Sequence, residues 1–325
     1  MKKKIAIIGG GYSSEAEISM KSTRQLCEMM DNSLFDLFPV FISKQAWIVQ
    51  MQNNEYPIQK EDFSFVYNGE KITFDCIYNS IHGTPGEDGR LASYFELLGI
   101  PYTSCGVFTS ALTFNKYATK MFLQSFGVQS AKAVLIRKND TINAHDIVEK
   151  LGLPCFVKPN NGGSSFGVSK VKSVEDIIPA IHKALLEDSE VIIESFIQGT
   201  EISNGVYKIG NNITVLPITE IRTDNEFFDY QAKYEGKSKE ITPAEISEEL
   251  TNKCKKLTAQ IFSHLDCKGI CRVDYIIQNN ELYMLEINTV PGMSKASIIP
   301  QQIRAAGMKE SDVFTAIIND VLHTK

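Results

Sequence analysis

The chain has 325 residues, 43% of them hydrophobic and 22% charged, with a formal net charge of -6. That length supports two or three domains around more than one core, and the acidic balance argues against nucleic acid as the main partner while leaving room for a local basic cleft that binds phosphates. "MKKK" resembles the opening of a secretory leader, but the apolar run behind it, Ile5 to Ile8, is too short for one, and no run approaches the length of a membrane span.

In chain order, "KIAIIG" reads as a strand and Ser14 to Met30 as a helix, joined by "GGGYSSE". The dinucleotide-binding fingerprint needs its third glycine where Ser14 stands, and Glu15 follows where a phosphate at a helix N-terminus would meet no acid. The loop therefore reads as a substrate-facing turn. The strands "LFDLFPVFI" and "TFDCIYNSI" and a helix from Gly89 to Leu98 continue a β/α alternation that predicts a largely parallel sheet. "SIHGTPGEDG" sets His82, Glu87 and Asp88 directly after a strand, where open α/β sheets bind ligands.

A second unit starts near a single helix, "SALTFNKYATKMFLQSFG", ended by Gly127. Strand "CFVKP" then carries the lone cation Lys158, followed by the loop "NNGGSSFG", strand "VSKVK", a helix from Val174 to Glu187 bearing Pro179, and strand "VIIESFI". The glycines and serines of that loop suit a phosphate-covering segment, and equally a plain hairpin tip. The third unit holds "SNGVY", "ITVLPITEI", a polar stretch from Thr223 to Pro243, and a helix from Glu245 to His264. The polar stretch is long for a connection inside a compact domain, which suits a lid or a surface insertion.

"CRVDYIIQNNELYMLEIN" follows. Strand alternation puts Arg272 and Asp274 on one face of the first strand, and Glu286 and Asn288 on one face of the second. With a three-residue turn at Asn279 to Glu281, Asp274 lies opposite Glu286 and Arg272 opposite Asn288. Facing carboxylates repel and call for a cation; Asp, Glu and an Asn carbonyl suit Mg²⁺. The seven cysteines, at 27, 76, 105, 155, 254, 267 and 271, include no C-x-x-C pair and read as reduced core thiols of a cytosolic protein. Cys267 and Cys271 in "CKGIC" lack neighbouring ligands of metal-site spacing. The histidines at 145, 182, 264 and 323 read as exposed, and serine-hydrolase and zinc-protease motifs are absent.

Taken together, "GGGYSSEAEIS", "HGTPGEDG", "KPNNGGSSFGVSKV", "FFDYQAKY", "CRVDYII" and "LEINTVPGMSKASIIP" resemble, in order and over nearly the whole chain, the D-alanine:D-alanine ligase family of ATP-grasp enzymes. The resemblance implies an α/β fold of ATP-grasp architecture, with an N-terminal open parallel-sheet domain (1–112) and two α+β domains (113–200 and 201–325) that sandwich ATP, the last bearing the metal site and a lid at about 223–243. It implies ATP-dependent ligation of two D-alanine molecules through a D-alanyl phosphate, for peptidoglycan precursors, in a cytoplasmic homodimer without nucleic acid or membrane partners. By motif, Lys116 and Lys158 would contact the α- and β-phosphates and Lys233 the γ-phosphate, with Gly162, Gly163, Ser164 and Ser165 covering the chain. Glu194 would read the adenine edge and Glu201 the ribose. Asp274, Glu286 and Asn288 would hold two Mg²⁺ ions, for which Mn²⁺ can substitute. Glu15 would hold the ammonium of the first D-alanine with His82 near its carboxylate, Ser297 would meet the second D-alanine, and Arg272 with the Gly292 N–H would stabilise the tetrahedral oxyanion. A contact of Glu15, Ser164 and Tyr234 would latch the lid.

Ala92, Ser93, Asn115 and Ser294 depart from the family's common residues without removing a charged group. Relatives that join D-alanine to D-lactate or D-serine share the chemistry, and Tyr234 favours the dipeptide. A nicotinamide-dependent oxidoreductase is disfavoured by Ser14, and a non-catalytic nucleotide sensor by the intact Arg272, Asp274, Glu286 and Asn288.

Overall fold

The computed structural model describes residues 2–52, 54–163, 166–223 and 238–323. Ser164, Ser165, Lys233 and Tyr234, and with them the expected lid and its latch, lie outside the described residues.

The first sheet has the order β4-β3-β2-β1-β7, with β1 (Lys3–Gly10), β2 (Phe35–Ile42), β3 (Trp47–Met51), β4 (Asn54–Pro57) and β7 (Cys76–Asn79). Only β2, β1 and β7 run parallel; β3 and β4 add antiparallel strands at one edge, which corrects the expected largely parallel sheet. Those strands, and the small β5 (Phe65–Tyr67) and β6 (Glu70–Ile72) hairpin, are short and half exposed, so the sequence carries little periodicity to mark them. From Ile5 on, β1 is apolar because it is buried on both faces. Ile5 and Ile7 pack with Leu26 of α1 (Ala16–Met29) and Phe314 of α9 (Glu310–His323), while Ala6 and Ile8 pack in an aromatic cluster with Phe63 and with Phe95 of α2 (Arg90–Leu98). The last helix of the chain thus closes the first sheet, with Tyr78 and Phe314 meeting edge-on at 6.0 Å between ring centres.

The stretch expected to form one helix at Ser110–Gly127 is two: α3 (Val107–Phe114) and α4 (Lys116–Gln124). Asn115 leaves helical geometry, and its side chain accepts the Ala118 N–H at 2.9 Å, capping α4. A second, antiparallel sheet runs β10-β9-β11-β8, built from β8 (Ala133–Arg137), β9 (Cys155–Pro159), β10 (Ser169–Val171) and β11 (Glu190–Ser195), and packs against α5 (Ala144–Leu151) and α6 (Ile177–Ala184). α6 is shorter than the expected Val174–Glu187 and holds Pro179 in its first turn, where the missing N–H costs no helical bond.

The third sheet, order β14-β13-β12-β15-β16, is antiparallel and comprises β12 (Thr200–Ile209), β13 (Asn212–Thr223), β14 (Ser238–Ile241), β15 (Ile270–Gln278) and β16 (Glu281–Asn288). α7 (Glu248–His264), capped by Ser247, covers one face, and α8 (Ile298–Ala305) follows β16. The described residues contain no helix long and apolar enough to cross a membrane.

Candidate active site

A cavity of about 260 Å³ takes its walls from all three sheets and their loops. The first contributes Glu15, His82 and Glu87, the second Lys116, Gly162 and Gly163, and the third Arg272, Glu286, Asn288, Gly292 and Ser297.

Glu15 reaches this cavity because the glycine loop is folded tightly against its neighbours. Gly10 and Gly11 have φ of +93° and +115°, and a Cβ on Gly10 would lie 2.6 Å from the Ile42 carbonyl oxygen. Gly11 N–H donates to that carbonyl at 2.8 Å, and Tyr12 N–H donates to the Thr84 carbonyl at 2.8 Å. The glycines therefore serve close approach of three backbone segments. Glu15 is 8% exposed, and a Cβ on Gly163 would lie 2.8 Å from its Oε2, so the acid abuts the glycine-serine loop of the second sheet.

His82 is buried, and its Nδ1 lies 2.8 Å from the Val290 carbonyl oxygen. A carbonyl only accepts, so Nδ1 carries the hydrogen and Nε2, with no partner among the described residues, presents a lone pair. Burial, partly opposed by the Glu15 charge, lowers the imidazole pKa, and the neutral ring is an acceptor. Such an atom suits an ammonium; beside a carboxylate it would first have to take up a proton. Glu87 accepts from Gly83 N–H at 2.7 Å and Val290 N–H at 3.1 Å, pinning the histidine loop to the chain that follows β16. Burial first, and then the Glu15 charge, push its carboxyl up to about 8.

A basic cluster stands on α4 and β9, and its member Lys116 lines the cavity. Lys116 opens α4, whose first three N–H groups are taken by the Asn160 carbonyl, the Asn160 side chain and the Asn115 cap, and its Nζ donates to the Gly162 carbonyl at 2.5 Å; burial lowers its pKa. Lys158 Nζ lies 2.7 Å from Glu194 Oε2, and although burial works against its charge, Glu194 more than offsets this and the pKa rises. Glu194 also lies 2.5 Å from Nζ of Lys120, which is 1% exposed. Burial alone would raise the Glu194 pKa, but the two lysines bring it down to about 2. Lys120 was missed in the sequence, although Lys116 and Lys120 stand four apart on one helix and so share a face. Glu201 sits half-buried on β12, where its charge supports that of Lys158.

The hairpin delivers the expected pairs, Arg272 across from Asn288 and Asp274 across from Glu286, by a different route. The turn has two residues, Asn279 and Asn280, with φ of +52° and +62°, as a tight primed turn requires. Gln278 pairs with Glu281 and Tyr275 with Met284, which would set Asp274 opposite Leu285; a bulge between Asp274 and Tyr275 moves Glu286 into that place. The cation that facing carboxylates call for is, at Asp274, a guanidinium: Arg272 Nε and Nη2 donate to Oδ1 and Oδ2 at 2.9 and 2.8 Å. Ser203 Oγ (2.6 Å) and Asn288 Nδ2 (3.0 Å) also donate to Asp274, and Ser203 was not anticipated.

The donor set fits a hard divalent cation. Two carboxylates and one amide carbonyl converge on one face of the hairpin beside Lys116 and Lys158, and Glu286 has no hydrogen-bond or ion-pair partner among the described residues. Gly292 follows on the cavity wall, where a Cβ would lie 3.0 Å from Ser297 Oγ. Ser297 stands at the N-cap of α8 and bonds Ser294 Oγ at 2.8 Å, presenting a helix N-terminus to the cavity. Lys21 and Glu240 also line it and were not anticipated; burial raises the Glu240 pKa.

Residues 4–105 match the family described as D-ala D-ala ligase N-terminus, and residues 122–319 match D-ala D-ala ligase C-terminus. The chain is 52% identical over 317 residues to a D-alanine--D-alanine ligase of Flavobacterium johnsoniae, covering 97% of this chain and 98% of that one. Among solved structures it resembles a D-alanine--D-alanine ligase from Bacillus anthracis (TM-score 0.80, 30% identity, 99% and 98% of the two chains). It also resembles the VanG D-Ala:D-Ser ligase from Enterococcus faecalis (TM-score 0.87, 30% identity, 99% and 100%). With both halves matched in order and a half-identical relative aligned end to end, the chain belongs to the D-alanine--D-alanine ligase family.

Proposed function

We propose that the protein uses ATP to join two molecules of D-alanine through a D-alanyl phosphate, supplying a peptidoglycan precursor. The observation that carries this reading is the single cavity in which an ammonium-accepting pair, a basic wall and a carboxylate hairpin face one another. The 52% identity to a D-alanine--D-alanine ligase, against 30% to the D-Ala:D-Ser ligase, supports D-alanine as second substrate.

The chemistry explains the residue types. A carboxylate is a poor electrophile, so the first D-alanine attacks the γ-phosphorus of ATP, ADP leaves, and an acyl phosphate forms. The free amine of the second D-alanine then attacks the acyl carbon, and inorganic phosphate departs. Glu15 and the His82 Nε2 lone pair hold the first substrate's ammonium. Lys116 and Lys158 lie along the phosphates, Lys233 meets the γ-phosphate, and the segment from Gly162 through Ser165 covers the chain. Glu194 and Glu201 face the adenine and ribose. Ser297, at the start of α8, receives the second substrate's carboxylate. Arg272 and the Gly292 N–H stabilise the oxyanion, where loss of one donor typically costs about 10²- to 10³-fold in rate. Asp274, Glu286 and Asn288 would hold two Mg²⁺ ions, which supply neutralisation of the charge gathering on the transferring phosphoryl group. Three units divided near residues 112 and 200, with a lid at about 223–243 latched through Ser164 and Tyr234, a cytoplasmic location and a homodimer complete the reading.

ADP release measured with D-alanine, L-alanine, D-serine and D-lactate tests it. D-alanine alone should support rapid turnover with Mg²⁺. Preference for D-serine or D-lactate as second substrate would move the chain to the depsipeptide or D-serine branch, and no D-alanine-dependent turnover would overturn the proposal.

A further inference from the structure

Away from the cavity, three thiols distant in the chain meet. Cys105 lies just before α3, and Cys267 and Cys271 bracket the start of β15. Their sulfurs all lie within 4.8 Å of one another, and the residues are 0%, 1% and 0% exposed. The sequence shows only the "CKGIC" pair; the fold supplies Cys105 as the third member.

One edge of the cluster has the spacing of a coordination sphere. Cys105 and Cys271 Sγ are 3.8 Å apart. A tetrahedral ion with metal–sulfur bonds of about 2.3 Å sets its sulfurs about 3.8 Å apart, whereas a disulfide needs about 2.05 Å. A fourth donor is at hand, since the Lys268 carbonyl oxygen lies 3.6 Å from Cys105 Sγ and 3.9 Å from Cys271 Sγ. Zinc bonds of about 2.3 Å to sulfur and about 2.1 Å to oxygen give a sulfur–oxygen edge of about 3.6 Å.

The backbone holds this arrangement. Gly269 has φ of +63°, and a Cβ there would lie 1.9 Å from the Thr103 carbonyl oxygen, so the turn between Cys267 and Cys271 is seated directly on the segment leading to Cys105. Thr109 Oγ1 donates to the Leu265 carbonyl at 2.7 Å from the other side. Lys268 N–H points to Cys105 Sγ at 3.4 Å.

We propose that Cys105, Cys267 and Cys271, with the Lys268 carbonyl, form a second metal site, selective for a thiophilic cation and suited to Zn²⁺. On binding, each thiol that still carries a proton releases it to solvent, three metal–sulfur bonds form and no electron is transferred. Cys271 directly precedes Arg272 on β15, so a bound ion pins the strand bearing Arg272 and Asp274 to the segment leaving the first sheet.

The full reduced chain is titrated anaerobically with Cd²⁺, and the ultraviolet sulfur-to-cadmium charge-transfer band is followed. Carboxylates give no such band, which separates this site from the hairpin. One equivalent per chain is expected, with the band removed by excess Zn²⁺, lost in Cys105→Ser and Cys271→Ser, and kept in Cys155→Ser. Zn²⁺ should also raise the melting temperature of the unmodified chain and of Cys155→Ser, with no rise in Cys105→Ser. Because the serine variants can fail to fold, proton release is measured on the unmodified chain: two to three protons per ion near neutral pH are expected. No band, a band that survives in folded Cys105→Ser, or binding without proton release would each overturn the site. Displacement of Cd²⁺ by Cu⁺ and not by Zn²⁺ would overturn the zinc assignment.

Discussion

The opening loop sets Glu15 on the cavity wall, the β15–β16 hairpin sets Asp274 behind it and opposite the cavity-lining Glu286, and the two segments hold Glu15 and Asp274 by opposite means. Around Glu15 the constraint is steric: Gly10 and Gly11 sit at positive φ with backbone carbonyls where a Cβ would stand. Around Asp274 it is electrostatic, with Arg272, Ser203 and Asn288 donating to its two oxygens. Side-chain changes should therefore be felt more at the hairpin, and backbone changes more at the loop.

The largest effect is expected from Glu286→Ala. It removes the carboxylate that the bulge sets opposite Asp274; turnover should fall by more than about 10²-fold, with Mg²⁺ affinity measured in parallel. Near-normal turnover would break the account of the hairpin. Arg272→Met comes next. It strips Asp274 of its bidentate partner, at about 3 kcal/mol of stability for a side-chain pair 15% and 8% exposed, and lowers kcat by about 10²- to 10³-fold.

Glu15→Gln isolates the loop's charge. The KM for the first D-alanine should rise by about tenfold or more, the cost of a charge-assisted hydrogen bond, with the melting temperature nearly unchanged. Gly10→Ala should do the reverse, costing about 1–3 kcal/mol of stability through strain at positive φ, read by thermal unfolding. Equal KM effects in the two variants would erase the distinction between them.

Glu87 adds a pH-dependent contribution to stability. Its folded-state value of about 8 lies above the ordinary carboxylate value of 4.5, so the folded state binds the extra proton. The associated stability is fully present below pH 4.5 and is lost as pH rises through about 8. Relative to Glu87→Gln, the unmodified chain should lose melting temperature between those limits; a constant difference would contradict the burial argument.

The hairpin shows how far the sequence could be read. Alternation in "CRVDYII" and "LEIN" placed four side chains on the correct face, while the bulge was hidden by the assumption of a longer turn, and two errors of one residue cancelled. The signal was present: Leu282 and Met284 keep one phase and Ile287 the other, and the burial pattern breaks at Leu285 and Glu286. Lys120 was legible from its spacing to Lys116. Ser203 was not, because its role depends on β12 lying beside β15. Cys105 was equally hidden, since only the packed chain brings it to Cys267 and Cys271.

Quantifying D-alanyl-D-alanine against ADP and phosphate in one reaction tests the central claim most directly. The account predicts one dipeptide for each ADP and each phosphate. ADP and phosphate formed from ATP and D-alanine without dipeptide would contradict it.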